Sequence, residues 1–325
     1  QMCIRDRRNN VKTYISQSFP LSFPEAGFFL EWVSFKSMSK QVSENNIAEP
    51  IRVAIQGVAG CFHDAVAHEF FAPRAIEPVE CDTFQDMFDR LADDPSLQAV
   101  MAIDNTIAGS ILPNHELLRK SNLSITGEFK KRISHVLCAM PGQTVDDITE
   151  VRSHPMALMQ CEEYLLKHRK MRMIEDLDTA RSAREIAEAG KMGVAAVCGE
   201  HAARLYGLDI LEAGIETNKH NFTRFLTLSH GGVPDRFIDK ASIVFTLPHT
   251  SGSLSKILSV FTFYDINLSK IQSLPLIGRE WEYRFYVDLT FDSVNRYRQA
   301  LNAATPLMGE FRILGEYSEN KSSAS

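Results

Sequence analysis

The sequence predicts an α/β protein of two lobes followed by a small ferredoxin-like βαββαβ module, and three observations carry that reading. From Ile51 onward, short β-branched or apolar runs alternate with amphipathic helical stretches. A polar loop, "DNTIAGSILPN", follows directly on the strand-like "QAVMAI", at the strand end where open α/β sheets gather ligands. Beyond Asp239 the order becomes strand, helix, two strands, helix, strand. The 325 residues exceed the usual single domain. With 44% hydrophobic and 23% charged residues and a net charge of -6, the chain is globular in composition. It lacks the basic field that nucleic acid requires, so no nucleic-acid partner is expected.

Residues 1–49 read as an unstructured leader, because Pro20, Pro24, Glu25 and Glu31 interrupt every apolar stretch. The leader is too short and too broken to span a membrane and carries no small-residue cleavage site, so no membrane partner is expected. Met38 reads as the natural start, and the upstream "MCIRDR" resembles translated sequencing adapter.

Residues 50–229 form the predicted two-lobed unit. "IRVAIQ" is a buried strand, Gly57 and Gly60 make a turn, and "HDAVAHEFFA" is a helix. "TFQDMFDRLADD" is a second helix with Thr83 as N-cap, and "QAVMAI" is a strand ending at Asp104. A second lobe, about residues 128–211, opens on the strand "ISHVLCAM" and continues into a helix with Pro155 in its first turn. The helix "DTARSAREIAEAG" follows, with Asp178 as N-cap and Gly190 as C-cap, and then the strand "GVAAVC" and the helix "HAARLYGL". The chain returns through "NFTRFLTL", so the second lobe is inserted into the first and a cleft is expected at the crossing strands.

Residues 230–239 read as a linker, 240–318 as the βαββαβ module and 319–325 as a tail. In the module Tyr283, Phe285, Val287 and Leu289 alternate with Arg284 and Asp288. That pattern fits helices on one face and leaves the other for a second subunit. Six scattered cysteines without a C-x-x-C pair fit reduced thiols in a cytoplasmic protein and suggest no structural metal.

Thr223 and Arg224 set a hydroxyl beside a guanidinium within a strand that burial alone would not demand. His154, just before Pro155, reads as a helix cap ahead of a ligand contact. A Cys61/His63 hydrolytic dyad is disfavoured, since neighbouring helix-start positions seldom face each other.

"RVAIQGVAGCFHDAV", "AIDNTIAGSILPNHELL", "EVRSHPMALMQCEEYL", "GVAAVCGEHAARLYGL", "NKHNFTRFLTL" and the terminal "IVFTLPHTSGSLSKIL", "NLSKIQSLP" and "WEYRFYVDL" together resemble prephenate dehydratase with its regulatory ACT domain. The match runs in order from about Ile51 to Tyr317. The resemblance implies a catalytic domain folded like a periplasmic solute-binding protein. It also implies loss of the ring carboxylate and ring hydroxyl of prephenate as CO2 and water, giving phenylpyruvate for phenylalanine synthesis. Aromatisation drives that reaction, so no cofactor is implied.

By resemblance to the family's T-R-F motif, Thr223 faces the departing oxygen, Arg224 holds a carboxylate and Phe225 packs the wall. From "DNTIAGS", Asn105 and Thr106 are implied to act at the site, with Asp104, Gly109 and Ser110 binding substrate; Asp104 stands where the family has glutamate. Gln160, Gly60 and Phe62 are further implied contacts, and amides near Gly60 are offered to an anion. Cys61 and His63 depart from the family pattern. The implied geometry has Thr223, Arg224 and Asn105 meeting in one crevice.

For the ACT domain the resemblance implies phenylalanine bound between subunits of a homodimer or homotetramer. The corresponding residues are Gly252, Ser253 and Leu254, then Gln272, Ser273, Leu274 and Pro275, the second set having lost two charges relative to the family. Arogenate dehydratase is the alternative from the same chemistry, and a non-catalytic amino-acid sensor the alternative from another class. No chorismate mutase segment is read.

Overall fold

The computed structural model describes residues 49–231, 237–276, 278 and 282–319. The leader, the middle of the linker, the tip of the "LIGRE" hairpin and the tail beyond Glu319 lie outside the described residues.

The first lobe is built from β1 (Ile51–Gln56), α1 (Phe62–Phe71), β2 (Ile76–Cys81), α2 (Phe84–Asp93), β3 (Gln98–Asn105), β4 (Gly109–Ser110), α3 (Leu112–Lys120), β5 (Ser124–Arg132) and the returning β11 (Phe222–Ser229). Between β5 and β11 the chain makes β6 (Val136–Ala139), β7 (Glu150–Ser153), α4 (Pro155–Gln160), α5 (Glu162–Lys167), β8 (Arg172–Glu175), α6 (Thr179–Ala189), β9 (Val194–Cys198), α7 (Glu200–Leu205) and β10 (Asp209–Ala213). These five inserted strands form their own sheet in the order β10-β6-β9-β7-β8. The two-lobed reading thus holds, with one boundary corrected. β5, through Arg132, belongs to the first lobe's sheet, so the insert starts after it and not near Glu128.

The caps follow the sequence chemistry. Thr83 accepts from Asp86 N at 3.1 Å, Asp178 accepts from Arg181 N at 2.8 Å, and Gly190 ends α6 at φ 58°. Helical spacing in "TARSAREIAEA" buries Ala180, Ala183 and Ile186 and leaves Glu185 and Glu188 exposed. An apolar cluster crosses the lobes, joining Val53, Ile55, Val66 and Phe225 to Val136, Cys138, Ala180, Ala196 and Ala202. Gly60, at φ +88°, lies so close to Ala202 that an added Cβ would sit 3.0 Å from its Cα. The lobes therefore meet backbone to backbone at that turn.

The C-terminal module runs β12 (Lys240–Leu247), α8 (Ser253–Phe263), β13 (Asn267–Pro275), β14 (Tyr283–Thr290), α9 (Val294–Ala304) and β15 (Phe311–Tyr317). Phe245, Ile257, Phe261, Val287, Leu289, Tyr297 and Leu301 make its core. Its sheet does not end at β15. A parallel pairing of Gly315 with Ile125 joins β15 to β5, giving one ten-stranded sheet in the order β13-β14-β12-β15-β5-β11-β3-β1-β2, with β4 on β3. The polar face of β14, read from sequence as open to a second subunit, packs on the first lobe of the same chain. Tyr286 Oη donates to Glu116 at 2.6 Å, Arg284 Nη1 donates to it at 3.2 Å, and Val244, Tyr286, Leu314 and Tyr317 share a core with Met101, Leu118, Ile125 and Leu226.

Candidate active site

β11 enters the sheet between β3 and β5, antiparallel to both. Thr223 lies opposite Asn105 and Arg224 opposite Asp104. Paired residues in a sheet share a face and consecutive residues alternate, so the two pairs stand on opposite sides of the sheet. Thr223 and Asn105 face the second lobe, and Arg224 and Asp104 face the C-terminal module.

On the second-lobe side the side chains form a continuous polar chain. Asn105 Nδ2 donates to Thr223 Oγ1 at 2.9 Å and to Asn221 Oδ1 at 2.7 Å. Asn221 Nδ2 donates to Gln160 Oε1 at 3.1 Å, and His135 Nε2 lies 3.0 Å from the same oxygen. Phe62 sets its ring edge-on to His135 at 5.6 Å. Asn105 is fixed by its own carbonyl, which accepts from the Ile107 and Ala108 amides at 2.9 and 2.8 Å and so closes the β3–β4 hairpin. A hydroxyl that accepts from a fixed amide has its remaining O–H direction restricted. Among the described residues Thr223 Oγ1 donates to no protein group, and at 8% exposure it is buried. The arrangement therefore offers one oriented O–H donor in a nearly dry setting.

On the other side Arg224 is held on every edge. Its Nε donates to Glu128 Oε2 at 2.6 Å, Nη1 to Asp288 Oδ2 at 2.5 Å and to Asp104 Oδ2 at 3.4 Å, and Nη2 to Tyr317 Oη at 2.9 Å. Lys240 Nζ completes Glu128 at 2.9 Å, and Lys270 Nζ donates to Asp104. Burial pushes the Asp288 and Asp104 carboxyls up, but Arg224 and Lys270 respectively outweigh it and hold both below the ordinary range. A cavity of about 400 Å³ opens here, lined among others by Arg224, Asn105, Asp104, Gly109, Ser110 and Gln272, so Arg224 and Asn105 share it although Thr223 does not.

The structure brings some of the expected site residues together and sets others apart. Arg224 does not share Thr223's face of the sheet; its fork is engaged by Glu128, Asp288 and Tyr317 at the wall of the cavity that Asn105 also lines. Asp104 and Ser110 go with it, Ser110 Oγ donating to Asp104 at 2.6 Å. Thr106 pins the hairpin to β11, donating to His220 O at 3.1 Å and accepting from Phe222 N at 2.9 Å. Gly109, at φ +81°, serves the hairpin turn. Phe225 shares Thr223's side but lies in the core, its ring 5.1 Å from His63. The amides offered to an anion near Gly60 are taken: Ala59 N donates to Glu80, Gly60 N to Asp64 and Cys61 N to Val58 O.

Gln160 does join Asn105 and Thr223, and Phe62 touches their network. His154 caps α4 by accepting from Met156 N at 3.2 Å. Cys61 and His63 make no dyad. Burial raises the Cys61 thiol far above its ordinary value and lowers His63 to about 4, and His63 accepts from Ala102 N. Gly252, Ser253 and Leu254 open α8, whereas Gln272, Ser273, Leu274 and Pro275 lie on the edge strand β13; no side-chain hydrogen bond joins the two sets among the described residues.

Sequence reasoning missed His135 and Asn221, although both lie in quoted stretches, because each reads as an ordinary strand residue. Asp178, read only as a cap, also bounds the lobe junction: an added Cβ on Gly57 would meet its Oδ2 at 3.0 Å, and burial raises its carboxyl.

A family model described as prephenate dehydratase matches residues 53–232. The chain is similar to an arogenate dehydratase/prephenate dehydratase of Arabidopsis thaliana, 36% identical over 86% of this chain and 77% of that protein. An arogenate dehydratase of Petunia hybrida is 36% identical over 82% of this chain and 71% of its own length. Among solved structures, the prephenate dehydratase of Arthrobacter aurescens in complex with L-Phe superposes with a TM-score of 0.72 at 27% identity, covering 82% of this chain and 90% of that one. A chain described as GqqA, a novel type of quorum quenching acylase, superposes at 0.74 with 26% identity, covering 83% and 98%.

Proposed function

Because the chain belongs to the prephenate dehydratase family of carbon–oxygen lyases, we propose that it converts prephenate to phenylpyruvate, CO2 and water through the oriented hydroxyl of Thr223. The observation that carries the reading is the Asn105 Nδ2 to Thr223 Oγ1 bond at 2.9 Å, which leaves the Thr223 proton for a ligand. As the ring carboxylate departs as CO2, its bonding electrons enter the ring and the C–O bond to the hydroxyl breaks. The leaving hydroxide takes a proton or a strengthening hydrogen bond from Thr223, and the ring is left aromatic. No net oxidation occurs. Asn105 fixes the hydroxyl, while Asn221 and Gln160 tie that fixation to the second lobe. Donation of this kind is worth a factor of about 10² to 10⁴ in rate.

Relatives carry arogenate names as well as prephenate names, and the two substrates differ only at the side chain's amine or keto group. Phenylpyruvate formation from prephenate, measured beside phenylalanine formation from arogenate on the same preparation, decides between them. Thr223→Val should lower kcat by about 10² to 10⁴ with the fold intact; near wild-type turnover in that variant would remove Thr223 from the chemistry. An acylase reading finds no support in Cys61, whose thiol is buried without a base.

The C-terminal module acts in this reading as an ACT regulatory domain for phenylalanine, supported by the L-Phe complex of the Arthrobacter relative. The signal has a short route: β13 carries Gln272 to Pro275, and two residues before them Lys270 bonds Asp104, next to Asn105. A homodimer or homotetramer follows if the effector lies between subunits. Turnover with and without millimolar phenylalanine tests the regulation, and an unchanged rate rejects it. The cysteine spacing favours a reducing compartment such as the cytoplasm; no described helix is long and apolar enough to cross a membrane, and some relatives are named chloroplastic.

A further inference from the structure

We propose that Asp64, His68 and His201 form a binding site for a divalent transition ion of the zinc class, which ties the two lobes together. Asp64 and His68 lie one turn apart on α1 and so share a helix face, while His201 is the second residue of α7 in the other lobe. Sequence spacing gave no warning, because the third donor arrives from a distant helix.

The Asp64 side chain is only 2% exposed. Its Oδ2 accepts from Gly60 N at 2.7 Å and faces His201 Nε2 at 3.2 Å. Its Oδ1 is buried without a hydrogen bond and lies 3.5 Å from His68 Nε2. A buried carboxylate oxygen without a hydrogen bond is costly, and a cation is the group that answers it. One donor atom from each residue falls within 4.8 Å of the others. A tetrahedral centre with bonds of about 2.0 to 2.2 Å sets its donors roughly 3.3 to 3.6 Å apart, and each imidazole already stands near that distance from one carboxylate oxygen, His68 from Oδ1 and His201 from Oδ2. The two rings converge on one ion by rotating, and their side chains are 49% and 36% exposed. Those rings already meet edge-on at 5.4 Å.

Two imidazole nitrogens and one carboxylate oxygen suit zinc, cobalt and ferrous ions, whereas magnesium and calcium prefer oxygen throughout. A cavity of about 360 Å³ adjoins the cluster, lined in part by Gly60, Phe62, Ser134 and Glu200, and leaves room for a water as fourth ligand. An ion there bridges α1 to α7 beside the Gly60 to Ala202 contact and fixes the lobes at that separation.

The test uses the full chain stripped with chelator. Calorimetric titration with Zn²⁺ should give one ion per chain, Co²⁺ should develop the visible absorption of a low-coordinate nitrogen and oxygen site, and Mg²⁺ should give no heat. His68→Ala and His201→Ala alter an exposed and a half-buried ring and should keep the fold, checked by Tm without zinc; each should weaken Zn²⁺ at least tenfold and abolish the Zn²⁺-induced rise in Tm. Absence of saturable binding at submillimolar zinc overturns the site. Binding that survives both histidine variants assigns the ion elsewhere and also overturns it. Binding lost in His68→Ala but unchanged in His201→Ala overturns the link between lobes.

Discussion

At the level of single residues, the informative contrast is between two neighbours. Thr223 and Arg224 differ by one position, and the pleat sends one toward the second lobe and the other toward the C-terminal module. Arg224 stands among Glu128, Asp288 and Asp104 with only 12% of its side chain exposed. Removing one member of a buried charge cluster strands the others. Arg224→Met should therefore lower stability by about 3 to 5 kcal/mol, read from denaturant midpoints. A substrate-binding arginine would instead raise KM and leave the midpoint in place. The motif's residues were legible in the sequence, but their sides were not. Against β11, the register of β3 skips Ile103, so Ile103 and Asp104 both face the module while Ala102 and Asn105 face the lobe junction. Simple alternation puts Asp104 with Ala102, and no residue type in "MAIDNT" announces the bulge.

Among the elements, most helices and the apolar strands were readable because caps and periodicity agree, as at Thr83, Asp178 and Gly190. β5 was not, since "SITGEFKKR" carries four charges and looks solvated. Glu128 is nonetheless buried, and its partners Arg224 and Lys240 come from far along the chain. Distant pairing of that kind leaves no local trace. β5 is also where the module attaches, and the attachment depends on one missing side chain. A Cβ on Gly315 would sit 2.4 Å from Ile125 O and 2.5 Å from Ile125 Cβ. Gly315→Ala should force β15 off β5. Faster amide exchange in β15 and β5, with α1 and α6 unchanged, is the expected pattern; uniform protection would mean the strands tolerate the methyl.

Across the whole molecule, docking of the module onto the first lobe leans on carboxylates. Burial raises Glu116, but the hydrogen bonds from Arg119 and Tyr286 outweigh it and bring it from an ordinary 4.5 to about 2. A carboxyl whose value falls on folding contributes fully above its unfolded value and loses that contribution as pH drops toward its folded one. The docking contribution of Glu116 should thus be constant above about pH 5 and fade between there and pH 2. Urea midpoints across that window should fall less steeply for Glu116→Gln than for the unaltered chain.

The pairing of Gly315 with Ile125 also bears on how this chain can be divided. Cutting it after Ser229 would wet Glu128 and bare Ile125, Leu226 and Leu228, which Leu314 and Tyr317 now shelter. A shortened catalytic piece would be a sticky fragment prone to self-association and not a deregulated enzyme. Supplying residues 237–319 as a separate polypeptide should restore its good behaviour by filling the vacant strand position.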